Sequence, residues 1–222
     1  AEAMEKVYGN TLHSVIEAWA THCYEGGRWK DAARGLRIAA DQLREAQFLD
    51  RALERYQKAL LWTERISRDQ RDPLLETHLN LGAGEVAALL GHPRAERYLQ
   101  VALDIAGEEG PEIAEARALL ALGRLYQSRG QPEIALEWLD ASLGIFRKKK
   151  DADGQVQVLE VLGTISLEAG KHEEARHYYE EGLSVAADQE LLAARMLVGL
   201  STHALQKDDL LTAENLLAQA LP

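Results

Sequence analysis

The chain has 222 residues, and 25 Lys and Arg stand against 36 Asp and Glu for a net charge of −11. That balance disfavours general binding to nucleic acid or to an anionic membrane, which needs an excess of cations. Cys23 is the single cysteine, which excludes an intrachain disulfide and a cysteine-based metal site. No uncharged apolar run is long enough to span a bilayer. The opening Ala1-Glu2-Ala3-Met4-Glu5-Lys6 has no apolar signal core.

In chain order, the N-terminal third reads as three helices at about 11–25, 29–46 and 49–67. Ala20, Gly27, Ala32, Leu36 and Ala39 set out a small-and-large frame. Ala40, Ala52, Tyr56, Ala59 and Leu60 set it out again, overlapping by one helix. Arg68 to Pro73 is a polar linker whose proline starts the next helix. From residue 74 the frame becomes a repeat, with units at 74–110, 111–150, 155–188 and 189–222. The clearest self-match sets LGRLYQSRGQPEIALEWLDASL (122–143) against LGTISLEAGKHEEARHYYEEGL (162–183). A small residue recurs at 84, 123, 163 and 201, in steps of 39, 40 and 38.

Apolar residues at spacings of three and four make each half-unit an amphipathic helix. The small residue in mid-helix lets a second helix approach closely, and Ala95, Ala135, Ala175 and Ala213 are the matching small contacts on that helix. Gly91, Gly130 and Gly170 fall at helix ends, where a left-handed residue is needed. Pro93 and Pro132 fall where the next helix begins. Lys148 to Gly154 is a further polar turn. No run of alternating β-branched residues signals a strand. The whole chain, 1–222, reads as one all-α repeat domain of helix–turn–helix hairpins, irregular over 1–67.

Motifs with chemical potential have plainer readings. Gly82-Ala83-Gly84-Glu85-Val86-Ala87 matches a loose dinucleotide fingerprint, but the preceding Glu76–Leu81 is helical in period and not a strand. His172 and His177 are five apart, about 140° round a helix at ~100° per residue, and cannot share a zinc ion as an i, i+4 pair does. They read as solvated positions. No G-x-S-x-G nucleophile turn is present. The acidic pairs Glu108-Glu109, Glu173-Glu174, Glu180-Glu181 and Asp208-Asp209 read as hydrated helix faces. Arg147-Lys148-Lys149-Lys150 reads as cations at a helix C-terminus, favourable to its dipole. Cys23 and Trp19, Trp29, Trp62 and Trp138 read as core, Trp138 in part exposed.

The frame Leu-Gly-x-x-Tyr, Gly, Ala, Leu or Tyr, then Ala-Leu resembles the tetratricopeptide repeat (TPR). The fit is best at 116–149 and 156–189. The resemblance implies a right-handed superhelical solenoid of five or so antiparallel hairpins. Steps of 38–40 exceed the usual 34, as in the long-repeat arrays at the C-terminal end of large bacterial signalling ATPases, kinases and cyclases. The opening, from His13 through Ala33, is similar to the segment joining such an ATPase to its repeats.

In that family the first helix of each hairpin lines a concave groove. Carried over, the lining is Arg117, Leu120, Arg124 and Gln127, then Gln157, Glu160, Thr164 and Glu168, then Arg195, Val198, Thr202 and Gln206. The set suits an extended or helical peptide, held by its backbone and acidic groups. Leu120 and Arg124, and then Glu160 and Thr164, stand where the chaperone-tail clamp has Lys and Asn, which disfavours that role. The expectation is a cytoplasmic, non-catalytic protein-interaction scaffold with no cofactor, no metal, no nucleic-acid and no membrane partner. Its ligand is a protein or peptide in the groove. The chain opens without an initiator Met and closes at Leu221-Pro222 without a polar capping helix, so it reads as the docking or regulatory part of a larger signalling protein. Two alternatives stay open: an oligomerisation or spacer module working through its ends, and a peptide or small-ligand sensor.

Overall fold

The structure, a computed structural model, describes residues 12–186 and 189–220. Eleven α-helices and no strand occur among the described residues. They are α1 (Leu12–Glu25), α2 (Trp29–Glu45), α3 (Leu49–Thr63), α4 (Pro73–Leu89), α5 (Ala95–Glu109), α6 (Glu112–Ser128), α7 (Pro132–Lys149), α8 (Ala152–Glu168), α9 (His172–Ala186), α10 (Glu190–Gln206) and α11 (Leu210–Ala220). The chain forms two compact units, 1–121 and 122–222, whose boundary falls within α6.

Local chemistry sets the helix ends. The helix expected over 49–67 stops at Thr63, because its last turn tightens: the Arg65 and Ile66 N–H groups donate to the Trp62 and Thr63 carbonyls, three residues back. A 3₁₀ turn, Arg68–Gln70, follows in the expected linker. Asp72 then caps α4, its carboxylate accepting from the Leu75 N–H at 3.3 Å, with Pro73 in the first turn. Asp151 does the same for α8, accepting from the Gly154 N–H at 3.0 Å. The turn glycines Gly91, Gly130 and Gly170 have φ of 63°, 69° and 72°, and the residue after each returns its N–H to a carbonyl five back. Gln47 and Asp208 hold the same left-handed place in two other turns, at φ 63° and 57°.

Helix packing inside each unit turns on small residues. In unit 1, α2 pairs with α3 and α4 with α5, while α1 lies on α2. The Tyr56 ring of α3 packs on α4, where a Cβ on Gly82 would lie 2.5 Å from Tyr56 Cζ. Gly84 abuts Leu99 of α5 in the same way. In unit 2, a Cβ on Gly123 would lie 2.7 Å from Leu139 of α7, and one on Gly163 would lie 2.6 Å from Tyr179 of α9. The other side of the Tyr179 ring meets Gly199 of α10. Tyr179, Val156, Ala175, Leu192, Met196 and Leu200 belong to one buried cluster. Cys23 is buried, and Arg28 donates to its Sγ at 3.1 Å. Trp62 is buried and stacks on Tyr24, with ring centroids 4.5 Å apart. Trp19, expected in the core, is 47% exposed and lies over Gly35. Among the described residues no helix is long and apolar enough to cross a membrane.

Candidate functional site

The repeat gives each first helix one register. Its zero is the small residue facing the second helix: Ala40, Gly84, Gly123, Gly163 and Ser201. The positions six before, three before and one after lie on one stripe of the helix. That stripe carries every groove residue expected from the sequence except Gln127, Glu168 and Gln206, which lie one turn further on.

In unit 1 the stripe holds Arg34, Arg37 and Asp41 on α2, His78, Leu81 and Glu85 on α4, and Arg117 and Leu120 on the part of α6 before residue 122. Arg37 donates to Asp41 at 2.6 Å, and the Tyr56 hydroxyl donates to the same carboxylate. Burial and the Asp41 carboxylate push the Tyr56 phenol far up, so it stays a donor. Arg44 of α2 pairs with Glu85 of α4. Lys30 and Arg34 both reach Asp72, at 3.0 and 2.9 Å. Burial raises the Asp72 pKa, but the hydrogen bonds from Lys30, the Leu75 N–H and Arg34 outweigh it, and the net shift is down. His78 is half-buried, and its pKa is lowered by burial and by the positive charges of Arg37 and Arg117, with Asp41 and Asp72 opposing. Arg117 is exposed. Leu120 is buried at 4% exposure, so it is a packing residue and offers no side chain to a ligand.

In unit 2 the stripe is internally bonded. Arg124 of α6 donates to Gln157 of α8 at 3.3 Å, and Gln157 donates to Asp153 at 2.8 Å. Glu160 of α8 pairs with Arg195 of α10. The Thr164 hydroxyl donates to the Glu160 carbonyl at 2.8 Å and lies 3.3 Å from the Tyr179 hydroxyl. Thr202 donates to the Val198 carbonyl at 2.9 Å. Gln127 is half-buried, and Glu168, Val198, Thr202 and Gln206 are exposed. The structure thus joins Arg124 with Gln157 and Glu160 with Arg195, each tying one hairpin to the next. The sequence placed all four residues on the stripe, the partners 33 and 35 residues apart at different repeat positions; which side chains would meet was not legible, because the repeat fixes register and not rotamer.

The remaining motifs have structural places. Gly82 to Ala87 lies inside α4, so it makes no phosphate-binding turn. His177 is exposed, but His172, expected in solvent, is half-buried against His203, with ring centroids 5.7 Å apart. Among the described residues no group of three or more His, Cys, Asp or Glu is placed to hold a metal. The carboxylates of displaced pKa among them, Asp72, Glu173 and Asp209, are all displaced downward, the direction opposite to a general acid's. For Glu173 the first cause is the hydrogen bond from Lys207, and for Asp209 it is the bond from Thr212.

The tetratricopeptide repeat family model matches residues 114–188. No curated protein matches the chain. Among solved structures, BtubC (BKLC) from P. vanneervenii is similar at 18% identity and TM-score 0.75, covering 98% of this chain and 89% of that one. The apo form of the quorum sensor NprR from B. thuringiensis is similar at 15% identity and TM-score 0.72, over 98% of this chain and 62% of that one. A signal transduction ATPase with numerous domains and a tetratricopeptide repeat sensor, from Pyrococcus horikoshii, is similar at 16% identity and TM-score 0.60; this chain is 99% covered and spans 38% of that protein's chain. At these identities the likeness is one of fold. Residues 114–188 thus match the tetratricopeptide repeat, and the described helices share the fold of these similar structures.

Proposed function

We propose that the chain is a non-catalytic protein-interaction module that holds a peptide segment of a partner protein on a first-helix stripe within a unit. One observation carries this reading. The helices bury their small and aliphatic residues against neighbouring helices, while the stripe keeps half-exposed arginine, amide and hydroxyl groups in register from hairpin to hairpin. A periodic row of such groups matches the repeating backbone and side chains of a peptide. Likeness in fold to a quorum sensor and to a signalling ATPase with a tetratricopeptide repeat sensor supports a docking or regulatory role in a larger cytoplasmic signalling protein.

The test is capture of partners from the source lysate by the full chain and by a triple variant, Arg117→Glu/Gln127→Glu/Thr202→Arg. None of these three side chains bonds a different helix among the described residues, so the variant keeps the fold, which circular dichroism checks. A partner held by the wild type and lost by the variant supports the reading; identical captures overturn it. A second reading, self-association, is favoured by the exposed Leu210 and Leu211 of α11, at 69% and 71%.

A further inference from the structure

The first-helix face of unit 1 gathers cations. The molecule is acidic overall, at −11, yet Lys30, Arg34 and Arg37 of α2 and Arg117 of α6 converge on one face, with His78 of α4 between them. Two carboxylates of unit 1 answer three of these four cations. Asp72 is shared by Lys30 and Arg34, and Asp41 by Arg37 and the Tyr56 hydroxyl. Arg117 makes no hydrogen bond or ion pair among the described residues and projects into solvent. In unit 2 the equivalent residues, Gln157 and Arg195, are bonded to Arg124 and Glu160. Arg117 therefore stands as a solvent-facing guanidinium across α4 from a pair of under-neutralised cations.

We infer that this face of unit 1 binds an acidic peptide segment, with one carboxylate side chain on Arg117 and another on the Lys30–Arg34 pair. Guanidinium suits this task, because it takes a carboxylate by two parallel hydrogen bonds. Packed helices lie about 8–10 Å apart, so the lane from α2 across α4 to α6 is roughly 20 Å long. An extended peptide covers that in about six residues at ~3.3 Å each. A polyanion such as nucleic acid is disfavoured by the overall negative charge. A short acidic segment is not, since charges more than about 8 Å away are largely screened at physiological salt.

His78 gives the site a proton linkage. The charged groups facing it are Arg37 and Asp41 of α2, Asp72 at the start of α4 and Arg117 of α6. Burial and the two arginines hold its pKa below the ordinary value. A bound carboxylate offsets the arginines and favours the imidazolium, so binding takes up a proton and tightens as pH falls toward the ordinary histidine value of about 6.5.

This inference rests on the peptide-docking reading, and the experiment separates the two. The full chain is probed in about 50 mM salt with an array of octapeptides bearing two Glu residues at all spacings, each matched to its Gln isostere and to a Lys counterpart. The expected result is selection of peptides with Glu about five to six residues apart over their Gln isosteres. For a selected peptide, Arg117→Gln weakens binding about tenfold, the order lost with one charge-assisted hydrogen bond. His78→Asn removes the gain on acidification while leaving binding at pH 8. Selection of neutral or basic peptides, or binding that Arg117→Gln does not weaken, overturns the acidic assignment and leaves the docking reading standing. No peptide bound at all overturns both.

Discussion

His203 and His172 show what one residue contributes beyond its type. His203 is buried on α10, its ring 5.7 Å from that of His172 at the start of α9. Burial, the Lys207 ammonium and the His172 ring lower its pKa, Arg176 adds to this, and Glu173 opposes it. A histidine with a depressed folded pKa keeps its full contribution while neutral, above the unfolded value of about 6.5. As pH falls through 6.5 the unfolded chain protonates first, and stability is lost. Thermal unfolding measured from pH 7.5 to pH 5.5 is expected to show a falling Tm, and the fall is expected to be smaller in His203→Asn. Equal slopes for the two proteins would remove His203 from the linkage. The sequence placed His172 in solvent because nothing in a repeat frame marks a contact between the first turn of one helix and the last turn of another.

At the scale of helices, an aromatic ring and a glycine act as a pair. Where the second helix carries Tyr, at 56 and 179, the next first helix has Gly two positions before its small residue, at 82 and 199. Where it carries Leu, at 99 and 139, that position is Ala121 or Val161. The ring needs the space that a Cβ would fill. Gly199→Ala is expected to cost about 1–3 kcal/mol, as overpacking does. The double variant Gly199→Ala/Tyr179→Leu is expected to lose less than the sum of its singles by about 1 kcal/mol or more, measured in urea. Additive losses would show that the pairing does not govern the stacking of α9 on α10. The mid-helix glycines were legible as helix contacts from the repeat; the partner ring of Gly199 was not, although the Tyr–Gly and Leu–Ala/Val alternation among repeats is a signal that can find it.

For the molecule as a whole, two properties compete. The charge of −11 opposes association, while Leu191 of α10 (78% exposed) and Leu210 and Leu211 of α11 offer apolar side chains to solvent. If the second of these dominates, the mass by light scattering rises with protein concentration, and Leu210→Glu/Leu211→Glu returns it to that of one chain. A single-chain mass at all concentrations would discard self-association and leave peptide docking.

The all-α hairpin repeat, its register, its left-handed glycine turns and its Asp72–Pro73 helix start were determined by the sequence alone. Each depends on residues within a turn or two of one another, or on a period that repeats along the chain. Tertiary structure decided the rest: that Leu120 is core and not lining, that Trp19 is exposed, and that Arg124 and Arg195 are spent on Gln157 and Glu160. It also decided that Arg117 is left facing solvent beside His78. These outcomes depend on which side chains of different hairpins meet and how each polar group is satisfied. A periodic pattern holds no record of that, because the same position in each repeat faces a different neighbour.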